Sequence, residues 1–378
     1  MTKLTLDNVY GGFKVTKSSH IDEVCGELYE LEHLKSGAKL IYLDCDDDNK
    51  VFSVMFKTLP ENSTGVFHII EHSVLCGSKK YPVKEPFIDL LKGSMATFLN
   101  ALTFSDKTGY PVASCNDKDF QNLMHVYMDA VFYPNIYEHE EIFKQEGWHY
   151  ELNAPDEPVT YNGVVFNEMK GAFSSADGKL ERFVMNGLFP DNTYGNESGG
   201  DPANIPDLTY EQFLNFHRTY YHPSNSYIYL YGDMDMTEKL RWLDEEYLGK
   251  YDRKEIDSEI QIQKKFKEPI EREIFYSVSE SESLDHATYL SINTQAGNEL
   301  SPKEYVAFQI LEYVLLDAPG APLKKALLDA GIGDDIMGGY EYGILQPYFS
   351  VIAKNAEREQ KDEFVKIVKA ELKKLADG

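Results

Sequence analysis

His68-Ile69-Ile70-Glu71-His72 is the stretch from which the rest of the sequence is read. On a helix, His68 and His72 are four residues apart and share a face. Glu71, three residues after His68, falls on the same side. Two imidazoles beside a carboxylate on one helical face suit a zinc ion with a general base next to it. The order H-x-x-E-H reverses the commoner H-E-x-x-H. With 10 His among 378 residues, chance supplies only about 0.03 such matches. The same pattern also describes two buried, hydrogen-bonded histidines on an amphipathic helix, so the reading needs support from elsewhere in the chain.

Length and composition set the frame. A chain of 378 residues exceeds one ordinary core and implies two domains. Apolar residues make up 42% and aromatics 13%, with 26 Tyr and 21 Phe, enough for large buried or groove-lining surfaces. No apolar run reaches the length of a membrane span, and the opening MTKLTLDNVYGGFKV lacks the apolar core of a secretory signal. The four cysteines, Cys25, Cys45, Cys76 and Cys115, have no CxxC spacing, so free thiols and a cytoplasmic location are expected. Cys76 lies four residues beyond His72 but falls where the helix ends at Gly77, which sets it apart from the ligands. The net charge of −26 argues against nucleic acid and anionic membrane as partners. It suits a soluble acidic surface, or an acidic cavity that draws in basic peptides.

Around the motif, periodicity predicts an α+β fold in which antiparallel sheets pack against helices. Residues 27–33, 39–43 and 51–56 alternate as strands of an antiparallel meander. The acidic stretch Asp46-Asp47-Asp48-Asn49 is read as a turn, because it lacks the glycine and closing glutamate of a calcium loop. Asn62-Ser63-Thr64-Gly65 is expected to cap the motif helix, about residues 65–76. A short helix near Pro86 follows, then a strand over 96–104 and its hairpin partner over 108–114. Pro111 marks that partner as irregular or close to a sheet edge, and an edge can pair with an extended peptide. Helices are expected over 117–133, 139–147, 160–175, 209–220 and 236–249, with a strand over 226–232.

The charged stretch YDRKEIDSEIQIQKKFKEPI suggests a domain boundary. We expect a first domain over 1–255, a linker over 256–270 and a related second domain over 271–378. In the second, strands at 271–279 and 287–294 precede helices at 302–316 and 321–330, a strand pair near 336–341 and 347–354, and a helix over 357–376. This second set is short and stops on a helix, which favours an incomplete domain within a longer polypeptide over a complete small one.

Two histidines leave a zinc site one protein ligand short. The candidate is Glu168, in Gly163-Val164-Val165-Phe166-Asn167-Glu168-Met169-Lys170-Gly171. A glutamate among Val, Phe and Met is costly unless paired or ligated. A surface glutamate paired with Lys170 or Arg182 fits the same spacing.

Taken together, several motifs agree in order. They are His68-x-x-Glu71-His72, Leu75-Cys76-Gly77-Ser78, Thr97-Phe98-Leu99-Asn100-Ala101-Leu102-Thr103, Gln145-Glu146-Gly147-Trp148-His149 and the Glu168 stretch. Over about residues 10–355 the chain resembles the pitrilysin/insulinase family of inverted-zincin metallopeptidases, especially its presequence-protease (falcilysin-like) branch. The resemblance implies two related α/β-roll domains, the second incomplete here. It implies one Zn2+ per chain held by His68, His72 and Glu168, with Glu71 as the base of an endopeptidase. It places Leu99, Asn100 and Ala101 in the edge strand that holds an oligopeptide substrate, which agrees with the strand reading. Substrates would be short, unstructured, basic peptides inside a closed chamber. The distal half of such proteins supplies a Tyr and Arg pair at the substrate carbonyl, so the implied partner is a missing C-terminal half of the same polypeptide, or a second subunit. One departure stands out: the family's further carboxylate, two turns before the ligand glutamate, is Tyr161 here. The rival expectation is a half-site, or a non-catalytic relative, that binds zinc and peptide without turning peptide over.

Overall fold

Strand formation in the first part of the chain follows a period of two. β1 (Val9–Tyr10), β2 (Phe13–Ile21), β3 (Gly26–His33), β4 (Lys39–Asp44) and β5 (Lys50–Lys57) succeed one another. In β4, Leu40 and Tyr42 are buried while Lys39 and Ile41 are exposed, as on a half-buried pleated surface. Between β4 and β5 the acidic stretch is a turn: Asp47 accepts hydrogen bonds from the Asn49 backbone amide at 2.9 Å and the Tyr231 hydroxyl at 2.8 Å. The computed structural model describes residues 3–281, 283–297 and 300–378.

The remaining strands of this region are β6 (Ala96–Leu99), β7 (Leu102–Thr103), β8 (Lys107–Ser114), the pair β9 (His149–Glu151) and β10 (Thr160–Asn162), and β11 (Ser226–Tyr231). One sheet runs β1-β2-β3-β4-β11-β5-β8-β6, with β7 also on β8, and β9 and β10 pair separately. The expected meander is therefore interrupted. β11 arrives from far along the chain and inserts between β4, to which it is parallel, and β5, to which it is antiparallel. Local periodicity carries no information about such an insertion, and pairing of sequence neighbours is only the more frequent outcome.

The helices are α1 (Val66–Val74), α2 (Pro86–Gly93), α3 (Asp117–Phe132), α4 (Glu140–Glu146), α5 (Val164–Ala172), α6 (Ala176–Leu188), α7 (Tyr210–Tyr220) and α8 (Met236–Glu246). α3 buries Phe120, Leu123, Met124, Tyr127 and Met128, and Asn116 caps it by accepting from the amides of Lys118 and Asp119. α1 differs from an amphipathic surface helix, because every residue except His72 is buried. A helix buried all round belongs to the core, and this one sets the position of the motif. α6 escaped the sequence reading: its run ADGKLERFVMNGL holds Gly178 and Gly187, which lower helical propensity by about 1 kcal/mol each relative to Ala.

Contacts divide the chain into two units, Met1–Phe173 with Asn196–Glu259, and Ser174–Gly195 with Ile260–Gly378. Residues 174–195, expected in the first domain, thus group with the second. Val184, Phe189 and Tyr194 account for this, since they share a small core with Ile344 and Tyr348. The second unit continues with β12 (Thr288–Gln295), α9 (Pro302–Glu312), α10 (Pro322–Asp329), β13 (Asp335–Glu341), β14 (Tyr348–Ala356) and α11 (Lys361–Asp377). Its three strands form an antiparallel sheet, β12-β14-β13. The expected strand over 271–279 is absent. Ile274 is exposed and Phe275 is 80% exposed, so the apolar residues read there as a strand cover no core face. Among the described residues, no helix is long and apolar enough to cross a membrane.

A buried histidine makes one pH prediction. His217 of α7 is buried. Its Nε2 donates to the Val131 carbonyl at 3.0 Å, and the Tyr137 hydroxyl bonds Nδ1 at 2.6 Å. Burial pushes its pKa from 6.5 down to about 3. The folded state therefore excludes a proton that the unfolded chain accepts below pH 6.5. Stability is full above that pH and falls as pH drops toward 3, by about 1.4 kcal/mol per pH unit from this group. Chemical denaturation of wild type and His217→Gln at several pH values should show a shallower acid limb for the variant. Parallel limbs would mean that His217 is protonated in the fold.

Candidate active site

α1 begins without the expected side-chain cap. Asn62 instead accepts from the Thr64 amide and hydroxyl, and the N-cap position is Gly65, with φ +67°. A Cβ on Gly65 would come within 2.6 Å of the Gly199 carbonyl oxygen. Only glycine fits this left-handed corner at so close an approach. The approach has a consequence one turn on, since His68 Nδ1 lies 2.9 Å from the same Gly199 carbonyl and donates to it.

His72 is oriented by a different kind of group. Its Nδ1 lies 3.4 Å from Glu146 Oε2, at the end of α4. With Nδ1 of both rings so engaged, both Nε2 atoms face Glu168, whose Oε2 is 3.7 Å from each. One donor atom from each of His68, His72 and Glu168 lies within 4.8 Å of the others. The structure thus brings these three residues together although α1 and α5 are far apart in sequence. Gly163, just before α5, makes this possible: a Cβ there would fall 2.1 Å from the Gly147 carbonyl, just after α4. The segments that deliver Glu146 and Glu168 therefore touch backbone to backbone.

Burial cost is not what marks Glu168. α5 buries Val165, Phe166 and Met169, whereas the Glu168 side chain is 53% exposed. Convergence with the two imidazoles distinguishes it from an ordinary surface glutamate. Glu71 is buried and stands outside the three-donor cluster.

Electrostatics in the site are dominated by carboxylates. Burial works against protonation of His72, but its hydrogen bond to Glu146 and the charges of Glu71, Glu146 and Glu168 outweigh this and raise its pKa. Burial likewise opposes ionisation of Glu146, and the bond to His72 overcomes it, lowering that pKa. Burial, with the Glu71 charge adding, pushes the Tyr110, Tyr127 and Tyr221 hydroxyls above the usual phenol range. Cys76 donates its thiol to the His72 carbonyl and to Glu146 Oε1, each at 3.5 Å. Burial and the Glu146 charge raise its pKa, so it stays a protonated donor.

Leu99, Asn100 and Ala101 lie at the sheet's free edge. β6 ends the strand order, so β8 with Pro111 is one strand in from the edge. Pairing with β8 passes from Leu99↔Val112 to Leu102↔Gly109, leaving a break opposite Pro111. Asn100 occupies it: its amide donates to the Pro111 carbonyl, its carbonyl accepts from the Tyr127 hydroxyl, and its Oδ1 accepts from the Ala101 amide. Tyr161 carries no carboxylate role. Its ring stands 5.4 Å from Tyr150 and 5.7 Å from Trp148.

Comparison with known proteins agrees with this architecture. A family model described as the peptidase M16 inactive domain matches residues 207–378. Protein HypA of Clostridium perfringens (strain 13 / Type A) is 52% identical over 98% of this chain. Presequence protease 1, chloroplastic/mitochondrial, of Arabidopsis thaliana is 45% identical over 97%. The chain belongs to the M16 (pitrilysin/insulinase) peptidase family, in its presequence-protease branch. The match to the inactive-domain model begins after His68, Glu71, His72 and Glu168, so it bears on the second unit and the end of the first. Pitrilysin shares the M16 fold with a TM-score of 0.66 at 15% identity, over 97% of this chain and 38% of its own. A protease from Helicobacter pylori does so with a TM-score of 0.64 at 15% identity, over 93% and 80%. This chain spans only 38% of the Clostridium relative and 34% of the Arabidopsis one.

Sequence reasoning gave no role to Glu146 or to Gly199. Gly199 acts through its backbone, which no side-chain pattern reveals. Glu146 had a signal, a glutamate closing a short helix just before Gly147 and Trp148, but nothing local tied it to His72.

Proposed function

We propose that the first unit carries the zinc-binding and proton-transfer machinery of an M16 endopeptidase. The supporting observation is the convergence of His68 Nε2, His72 Nε2 and Glu168 Oε2, with Glu71 buried on the same helix as the two histidines. The donor set fits zinc chemically, with two imidazole nitrogens and one carboxylate oxygen. The 3.7 Å separations lie within a few tenths of an ångström of the roughly 3.4 Å between ligands of a tetrahedral zinc. Bound zinc would supply a Lewis acid that acidifies water and polarises the peptide carbonyl.

The chain's own residues would do the rest. Backbone groups of residues 99–101 would hold an extended peptide along the free edge. Glu71 would accept the proton of the attacking water and return it to the departing amine. The net charge of −26 and the three carboxylates around the site favour basic, unstructured peptides. Because the chain spans about a third of the presequence proteases it matches, we further propose that residues from the remainder of a longer polypeptide, or from a second subunit, complete the substrate side. A stable symmetric dimer in solution would favour the second source, and a monomer the first.

Elemental analysis tests the metal reading. About one zinc per wild-type chain is expected, with loss of most of it in Glu168→Gln. A folded chain that takes up no zinc when loaded would overturn the assignment of these three residues to one site.

A further inference from the structure

We propose that Glu146 is the positioning residue of this metal site, fixing the ring and tautomer of His72 through Nδ1. The inference rests on the metal-site reading above. A neutral imidazole has one N–H and one lone pair, and the partner of one nitrogen decides which role the other takes. His72 Nδ1 faces Glu146 Oε2 at 3.4 Å. A carboxylate only accepts, so it places the proton on Nδ1 and leaves the Nε2 lone pair toward Glu168.

Glu146 is itself held. Its residue is 7% exposed, and its Oε1 accepts from Gln145 Nε2 at 2.8 Å and from the Cys76 thiol at 3.5 Å. These donors occupy one oxygen and aim the other at His72. The two imidazoles are thus set by unlike groups. For His68 the acceptor is the backbone carbonyl of Gly199, which no side-chain change removes. For His72 it is a side chain. His72 is also the more open of the two, 26% exposed against 11%, so it has more freedom to turn when its acceptor goes.

The test is zinc affinity by chelator competition on the full chain, for wild type, Glu146→Gln and Glu146→Ala. The visible spectrum of each cobalt-loaded chain and the melting temperature of each metal-free chain are measured alongside. Glutamine keeps volume and an acceptor oxygen but loses the charge, so affinity should fall about 10-fold with the tetrahedral cobalt bands retained. Alanine removes the acceptor, so affinity should fall about 100-fold, with broadened or weakened bands. If wild type and Glu146→Gln bind zinc equally and Glu146→Ala binds within twofold with an unchanged cobalt spectrum, the positioning role is wrong while the metal site stands. If wild type itself binds no zinc, the underlying reading fails first. A fall in affinity matched by an equal loss of metal-free stability in both variants would make Glu146 a packing residue only and overturn the proposal.

Discussion

Glu71→Gln lowers peptide hydrolysis by about 10³-fold, within the range usual for loss of a general base, and leaves zinc content at the wild-type level. The substitution is nearly isosteric at a buried position of a core helix, so the fold around it has no reason to move. Glutamine cannot take a proton from water at neutral pH, and its amide offers no comparable base. Glu71 stands outside the group of donors that lie within 4.8 Å of one another, which is why metal retention is expected. The assay uses the chain in whatever assembly turns peptide over, with wild type and variant treated alike. Substrate affinity should change little, because the carboxylate acts in proton transfer and not on the peptide's ground state. Two results would count against the assignment. Full activity would mean another group takes the proton, and joint loss of zinc and activity would make Glu71 a ligand.

The motif helix was readable because its information is local. The spacing of His68, Glu71 and His72 puts three side chains on one surface of any helix, and the structure keeps that helix. The alternating runs of β3, β4 and β5 were readable for the same reason. What periodicity could not carry is the insertion of β11 between β4 and β5, since a strand buried there and one at an edge share the same pattern. The start of α1 misled in another way. Asn62, Ser63 and Thr64 are favourable cap residues, but a close backbone approach at Gly65 decides the corner. Glu168 was singled out by the cost of burying a glutamate among apolar residues and then by the family resemblance, and the first of these reasons does not hold. Its side chain is half exposed, and it meets the two imidazoles because of where α5 is hung. Glu146 is the clearest loss, because a carboxylate that serves His72 through space has no spacing rule linking it to residue 72.

Zinc should raise the melting temperature of the first unit by about 8–16 °C when free metal exceeds the dissociation constant about 1,000-fold. At that ratio, binding to the folded state alone contributes about 4 kcal/mol. For a domain of about 150–250 residues, the range in which the first unit falls, each kcal/mol moves the midpoint by about 2–4 °C. The effect reaches the whole unit because the donors come from α1 and α5. Metal links a core helix to a helix hung on the Gly147 and Gly163 contact. It also places a cation among Glu71, Glu146 and Glu168, whose charges all act on His72. Binding of zinc to the unfolded chain, where His68 and His72 stay close in sequence, would reduce the shift toward the lower figure. Differential scanning of metal-free and zinc-loaded chains gives the shift, and Glu168→Gln should remove most of it. A shift of less than about 2 °C at saturating zinc would mean that the metal holds only the adjacent histidines and that Glu168 is not its third ligand.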